Sequence, residues 1–279
     1  MAGRVLIAIV LLVMLAGCQG LVDETLEPLD RASIEPSTGA TVTAPGVTRD
    51  GVVNPGALAA AHVSSLADQS YTVRANLTVL APNGSIQGQR VAVMRVDPDG
   101  GQFSLRQTAR GSFPWPAPPA SDVNVPLEPK RAVPLETDLR GFSDGNWTYL
   151  RRPTPNGTLY QRDRPRFAVV QTDSFVADGA IHARFRGIPL NRTTITEAQR
   201  DGWPVYRITA TTSDDRHVTA LVDPLGLVYT LRADWPTADG TSEGRVIERF
   251  RFSAIGNTTV DRPPWVDHAI DNTTATVDG

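Results

Sequence analysis

Apolar and polar residues alternate along most of this chain, and the alternation predicts its elements. Val73, Ala75, Leu77 and Val79 alternate with Arg74, Asn76 and Thr78, which predicts a half-buried strand with Asn76 and Thr78 on its polar side. Pro82-Asn83-Gly84 turns the chain, because Asn-Gly tolerates the positive φ of a tight hairpin. A second strand runs through Val91, Val93 and Val96 to the turn Asp97-Pro98-Asp99-Gly100, and a third carries Phe103 and Leu105. Strands resume from Phe142 to Leu150, where Trp147 and Tyr149 alternate with Asn146 and Thr148. They turn at Pro155-Asn156-Gly157 and return through Leu159 to Arg162. Further strands are predicted over Thr193–Ala198, Val205–Thr211, Val218–Asp223, Gly226–Ala233 and Val246–Phe252. Only one segment has clear helical spacing. Asn54 caps it, Pro55 opens it, and Leu58, His62 and Leu66 follow at four-residue intervals to an end near Gln69. Residues 173–187 read as a short second helix. The stretch 113–134 holds prolines at 114, 116, 118, 119, 126, 129 and 134, which excludes a central strand and leaves a lid or a recognition loop.

The N-terminus carries a different pattern. Arg4 precedes an apolar run from Val5 to Leu15, and Leu15-Ala16-Gly17-Cys18 follows with the only cysteine of the chain. A basic start, a short apolar core and small residues are the layout of a secretory signal, and the run is too short to cross a bilayer comfortably. The box resembles the lipobox of prokaryotic lipoproteins, whose cysteine receives a lipid and becomes the first residue. The expected organisation is a signal peptide over 1–17, a lipid-anchored flexible tether over 18–54, one domain over 55–268 and a disordered tail over 269–279. The expected location is the outer face of the cytoplasmic membrane, on the extracellular side.

Composition narrows the class. With one cysteine, no internal disulfide can form, and a net charge of −3 leaves no nucleic-acid footprint. Lys130 is the only lysine, and aspartate outnumbers glutamate 22 to 8; this usage resembles haloarchaeal or other GC-rich genomes. Of nine asparagines, seven begin an Asn-X-Ser/Thr sequon: Asn76, Asn83, Asn146, Asn156, Asn191, Asn257 and Asn272. The sequon is the acceptor for surface N-glycosylation, and this excess fits an extracellular archaeal glycoprotein.

Three stretches are similar to the lipoprotein carrier and lipoprotein-localisation superfamily. They are the predicted helix leading into Ser70-Tyr71-Thr72-Val73-Arg74, the run Ser143-Asp144-Gly145-Asn146-Trp147-Thr148-Tyr149, and Leu221-Val222-Asp223-Pro224 with Gly226-Leu227-Val228-Tyr229 and Phe250-Arg251-Phe252-Ser253. The resemblance implies an α+β fold, a strongly curved antiparallel sheet forming an incomplete barrel with helices on its concave side. It also implies binding of lipid or a lipid-modified partner in an apolar cleft. By alternation, the inward residues, and so the candidate lining, are Leu77, Val79, Phe103, Leu105, Trp147, Tyr149, Phe250 and Phe252; ordinary core packing is the competing expectation for each.

Catalytic patterns are missing from the sequence. His62, His182, His217 and His268 lack metal-ligand spacing, and no Gly-X-Ser-X-Gly elbow or phosphate-cradling loop is present. His62 reads as a satisfied core residue and His217 as part of a solvated turn. The expectation is therefore a non-enzymatic, membrane-anchored lipid- or lipoprotein-binding protein needing neither cofactor nor metal. The alternative is a structural or interaction lipoprotein of the cell envelope with a filled core.

Overall fold

The computed structural model describes residues 44–99, 101–113, 133–134, 137–163, 178–213, 215–237 and 244–272. Cys18, the signal segment, residues 19–43 and the proline-dense stretch 114–132 lie outside the described residues. The elements in chain order are β1 (Val47–Thr48), β2 (Gly51–Val52), α1 (Pro55–Leu66), β3 (Tyr71–Leu80), β4 (Ile86–Val96), β5 (Gln102–Phe113), β6 (Val133–Pro134), β7 (Thr137–Asp144), β8 (Thr148–Thr154) and β9 (Gly157–Asp163). They continue with α2 (Asp178–Phe185), β10 (Thr193–Arg200), β11 (Trp203–Thr211), β12 (His217–Val222), β13 (Val228–Pro236), β14 (Arg245–Ser253) and α3 (Trp265–Asn272). The protein is α+β and mainly antiparallel sheet.

One sheet organises the molecule, in the order β10-β11-β12-β13-β14-β3-β4-β5-β7-β8-β9, with β6 added beside β5. The path does not close, so β10 and β9 are its edges. Register separates two faces, since partners across a ladder point the same way. Val73 lies opposite Met94 and Phe252, Met94 opposite Leu105, and Leu231 between Phe250 and Ala220. This apolar face receives α1 and α2 through Leu58, Ala59, Leu66, Ile181 and Phe185 in one continuous core. Burying Leu58 or Leu66 contributes about 1.5–3 kcal/mol each, which anchors a twelve-residue helix too short to be stable alone.

Local chemistry sets the helix boundaries. The Asn54 carboxamide oxygen accepts the Ala57 N–H at 3.0 Å, Pro55 opens α1, and the helix ends at Leu66, a turn earlier than Gln69. The β12–β13 turn meets α1 at Gly226, whose φ is +92° and where an added Cβ would lie 2.6 Å from the Cβ of Ala61. Glycine is required there on both counts.

Two domain boundaries need correction. Residues 44–54 are part of the globular unit: Ala44, Val47 and Val52 are buried in the main core, and β1 pairs with β2. The chain does not turn into a tail at 269: α3 runs over Trp265–Asn272, with Val266 and Ala269 fully buried, while residues 273–279 lie outside the described residues. In both places the decisive apolar contacts are long-range, although Trp265, Val266, Ala269 and Ile270 do recur at helical spacing.

Candidate functional site

The eight expected lining residues do not share one cleft. Phe103, Leu105, Phe250 and Phe252 stand together under α1 and α2, all buried. Val79 is buried and Leu77 half-buried. Tyr149 lies opposite Phe142, whereas Phe103 lies opposite Ser143 and Ser143 opposite Thr148. Trp147 and Tyr149 therefore belong to the other face of the sheet. There they join Phe142, Tyr160, Trp265 and Val266 in a second cluster beneath α3. Alternation pairs Trp147 with Tyr149 correctly but cannot say which face receives them.

The residues that carry the family resemblance form two similar braces at one end of the sheet. Asp144 Oδ1 accepts the N–H groups of Asn146 and Trp147 at 2.9 and 2.7 Å, while the Tyr149 hydroxyl donates to Asp144 Oδ2 at 3.2 Å. Asp223 Oδ1 accepts the N–H groups of Leu225 and Leu227, both at 2.9 Å, and the Tyr229 hydroxyl donates to Asp223 Oδ2 at 3.3 Å. Burial first, and the adjacent carboxylate second, raise both phenol pKa values. An arginine covers each brace: Arg162 lies 3.9 Å from the Trp147 ring centroid and Arg200 4.0 Å from that of Tyr229. Beside the second brace a shallow cleft of about 140 Å³ opens between Arg200, Trp203, Tyr229 and Ile255. Trp203 is 74% exposed at its rim.

The face opposite α1 and α2 carries a row of arginines. Thr230, Arg251, Arg74, Val93, Arg106, Arg140 and Arg151 follow one another across seven adjacent strands, each opposite the next. Arg207 continues this row beyond Leu221, and Arg249 lies opposite Arg232 in the next row. Burial, then the Arg232 guanidinium, hold the Arg249 pKa below the usual arginine value, against the opposing charge of Asp234. Like charges directly opposite in a sheet are destabilising; Asp138 pairs with Arg140 at 3.4 Å, and Asp234 pairs with Arg232 at 3.1 Å and with Arg245. Sequence alternation contained these arginines, but only the register lines them up.

The sequons divide sharply. Asn83, Asn146, Asn156, Asn191, Asn257 and Asn272 are exposed in turns or at the end of α3. Asn76 is different, being 6% exposed in the middle of the sheet between Val91 and Arg249, with its side-chain oxygen accepting the Thr78 hydroxyl at 3.1 Å. Asn76 and Thr78 are both buried on the polar side of β3, so the folded protein has no room for a glycan at Asn76.

Histidine chemistry is scattered. His62 is fully buried against Phe252, with ring centroids 4.5 Å apart. Its Nδ1 accepts the Val228 N–H at 3.1 Å, but Nε2 has no partner, so the residue is only half satisfied. His217 contacts Thr211 Oγ1 through Nδ1 at 3.1 Å and Asp215 Oδ1 through Nε2 at 3.0 Å. This hydroxyl–imidazole–carboxylate order matches a nucleophile–base–orienter arrangement, yet its groups are exposed at a hairpin end and Asp215 is held by Arg245 at 2.7 Å. That hydrogen bond from Arg245 is the largest cause lowering the Asp215 pKa. The constellation therefore braces a turn. Among the described residues no group of three or more potential metal ligands is present, and no helix is long and apolar enough to cross a membrane. No family model matches the chain, and no curated protein is significantly similar to it.

Proposed function

We propose that this chain is a membrane-anchored, extracytoplasmic lipoprotein without catalytic activity, which works by interaction at its outer surface. The observation that carries this reading is the filled interior. Phe103, Phe185, Phe252, Leu58, Met94 and Ile181 all lie fully buried between the helices and the sheet. A binding cleft for acyl chains would instead leave a concave apolar surface open. The lipobox-like Leu15-Ala16-Gly17-Cys18 supports the anchor, and six exposed sequons support an extracellular, glycosylated surface. The open antiparallel sheet with α1 and α2 on one face supports kinship with the lipoprotein carrier superfamily, in the form of a strongly curved, incomplete barrel.

Cys18→Ser tests the anchor by detergent phase partitioning of cells making the full chain. Loss of the protein from the detergent phase is expected, and unchanged partitioning refutes the lipid at Cys18. A second reading has one observation in its favour. Ala75, Ala92, Ala220 and Ala233 give the helix-facing side of the sheet a small-residue floor. A lipid chain could occupy that floor if α2 lifted away. Native mass spectrometry with lipid extraction separates the two, since a co-purifying lipid favours this second reading and a lipid-free protein favours the filled core.

A further inference from the structure

We propose that the arginine-bearing sheet face binds an anionic polysaccharide, a linear polymer carrying carboxylate or sulfate groups on successive sugars. The first argument is energetic. Arg251 faces Arg74, Arg106 faces Arg140, and Arg140 faces Arg151, so the fold keeps three directly opposed like-charge pairs at some cost in stability. A juxtaposition of like charges that stability does not favour is expected where a surface serves a ligand.

The second argument is shape. From Arg207 on β11 to Arg151 on β8 the row crosses eight strand-to-strand steps, roughly 38 Å at about 4.8 Å per step. A long row of forked, planar donors suits a repeating anion, which each guanidinium can grip bidentately. Arg106, Arg207 and Arg251 are exposed, away from α3, which packs over β8 and β9.

The third argument distinguishes the polymer. Trp203 stands exposed on the same side of β11 as Arg207, beside the Tyr229–Arg200 pair. An exposed indole at the end of a cationic row gives the flat apolar side of a sugar ring something to stack on. Elsewhere on this face the aromatics Phe142, Tyr149 and Tyr160 lie beneath α3. Among the described residues, the series of stacking platforms that single-stranded nucleic acid uses is therefore missing. None of the six exposed sequons sits on a strand of this face, and its one sequon, Asn76, is buried. The exposed strand positions of this face therefore carry no glycan acceptor.

The proposal deepens the outer-surface reading above and rests on it only for where the polymer is met. Binding is measured on the purified full chain without membrane, so its failure is distinct from failure of the Cys18→Ser test. The probe is polygalacturonate, with dextran sulfate as the sulfated counterpart, titrated at low and at high salt. The wild-type protein is expected to bind at least one of them with salt-sensitive affinity. Arg106→Gln with Arg251→Gln should weaken binding about tenfold or more, given the worth of charge-assisted hydrogen bonds, while melting stays level or rises as like-charge pairs are relieved. Trp203→Ala should weaken binding without moving the melting temperature. Absence of wild-type binding, or full affinity in the double variant, overturns the proposal. Equal or tighter binding of single-stranded DNA or of phosphatidylglycerol vesicles overturns it too, by showing a general anion surface.

Discussion

His62 couples the stability of this protein to pH through a single buried ring. Burial lowers its pKa from 6.5 to about 3, because the imidazolium would sit without solvent against Phe252 and opposite a backbone donor. In the native protein Nδ1 accepts the Val228 N–H, which a protonated ring cannot do. The sign follows directly. Below pH 6.5 the unfolded chain binds a proton that the native protein refuses, so stability is fully present above that value and is lost as pH falls towards 3. The loss is about 1.4 kcal/mol per pH unit, hence about 2 kcal/mol between roughly pH 7.5 and pH 5, above the range where most carboxylates titrate. Urea unfolding at those two pH values reads it out. His62→Leu removes the titration and leaves the Val228 N–H unpaired, which should cost about 1–3 kcal/mol at neutral pH. The same variant should lose the pH-dependent component. A variant that keeps the full wild-type loss between the two pH values refutes the assignment to His62.

Three further outcomes are expected. Glycopeptide mapping of the native protein should find Asn83 and Asn156 modified and Asn76 bare; a glycan at Asn76 would contradict its burial in the sheet. Gly226→Ala should destabilise by about 2–4 kcal/mol, from the left-handed backbone and the crowding against Ala61, as measured by chemical denaturation. Arg184→Met should lower stability by about 3 kcal/mol, because it strands Glu248, whose carboxylate Arg184 Nε meets at 2.5 Å in a largely buried pair. Glu248→Gln combined with Arg184→Met should recover part of that loss.

Local signals were read well wherever a residue's role depends on its neighbours in sequence. Asn54 and Pro55 start α1 because capping and fixed φ act within one turn. Asn83-Gly84 makes the β3–β4 turn because Ser85 N and Oγ reach the Asn83 side-chain oxygen, at 3.0 and 2.7 Å. Asp97, Asp144 and Asp223 at the hairpin ends do what aspartate does in turns, accepting backbone N–H groups two to five residues on. The parts played by residues 44–54 and 265–272 are not legible this way, because their partners are distant: Ala44 and Val47 join the main core, and Val266 joins the cluster around Tyr149.

The sequence by itself determined the strands, the helix cap, the turn chemistry and the two-sidedness of each strand, because a period of two and a local hydrogen bond need no tertiary partner. Only the tertiary structure decided which side of each strand met which neighbour. Trp147 and Tyr149 could have joined Phe103 and Phe252, and register put them on the opposite face beneath α3. Asn76 looked solvent-facing beside Arg74 and Thr78, and central placement between β14 and β4 buried it. The arginines of β14, β3, β5, β7 and β8 were separate polar positions until strand order set them in one row. Alternation is a property of one strand, whereas a binding face belongs to a sheet, and the long-range pairing that assembles the sheet leaves no periodic trace in the chain.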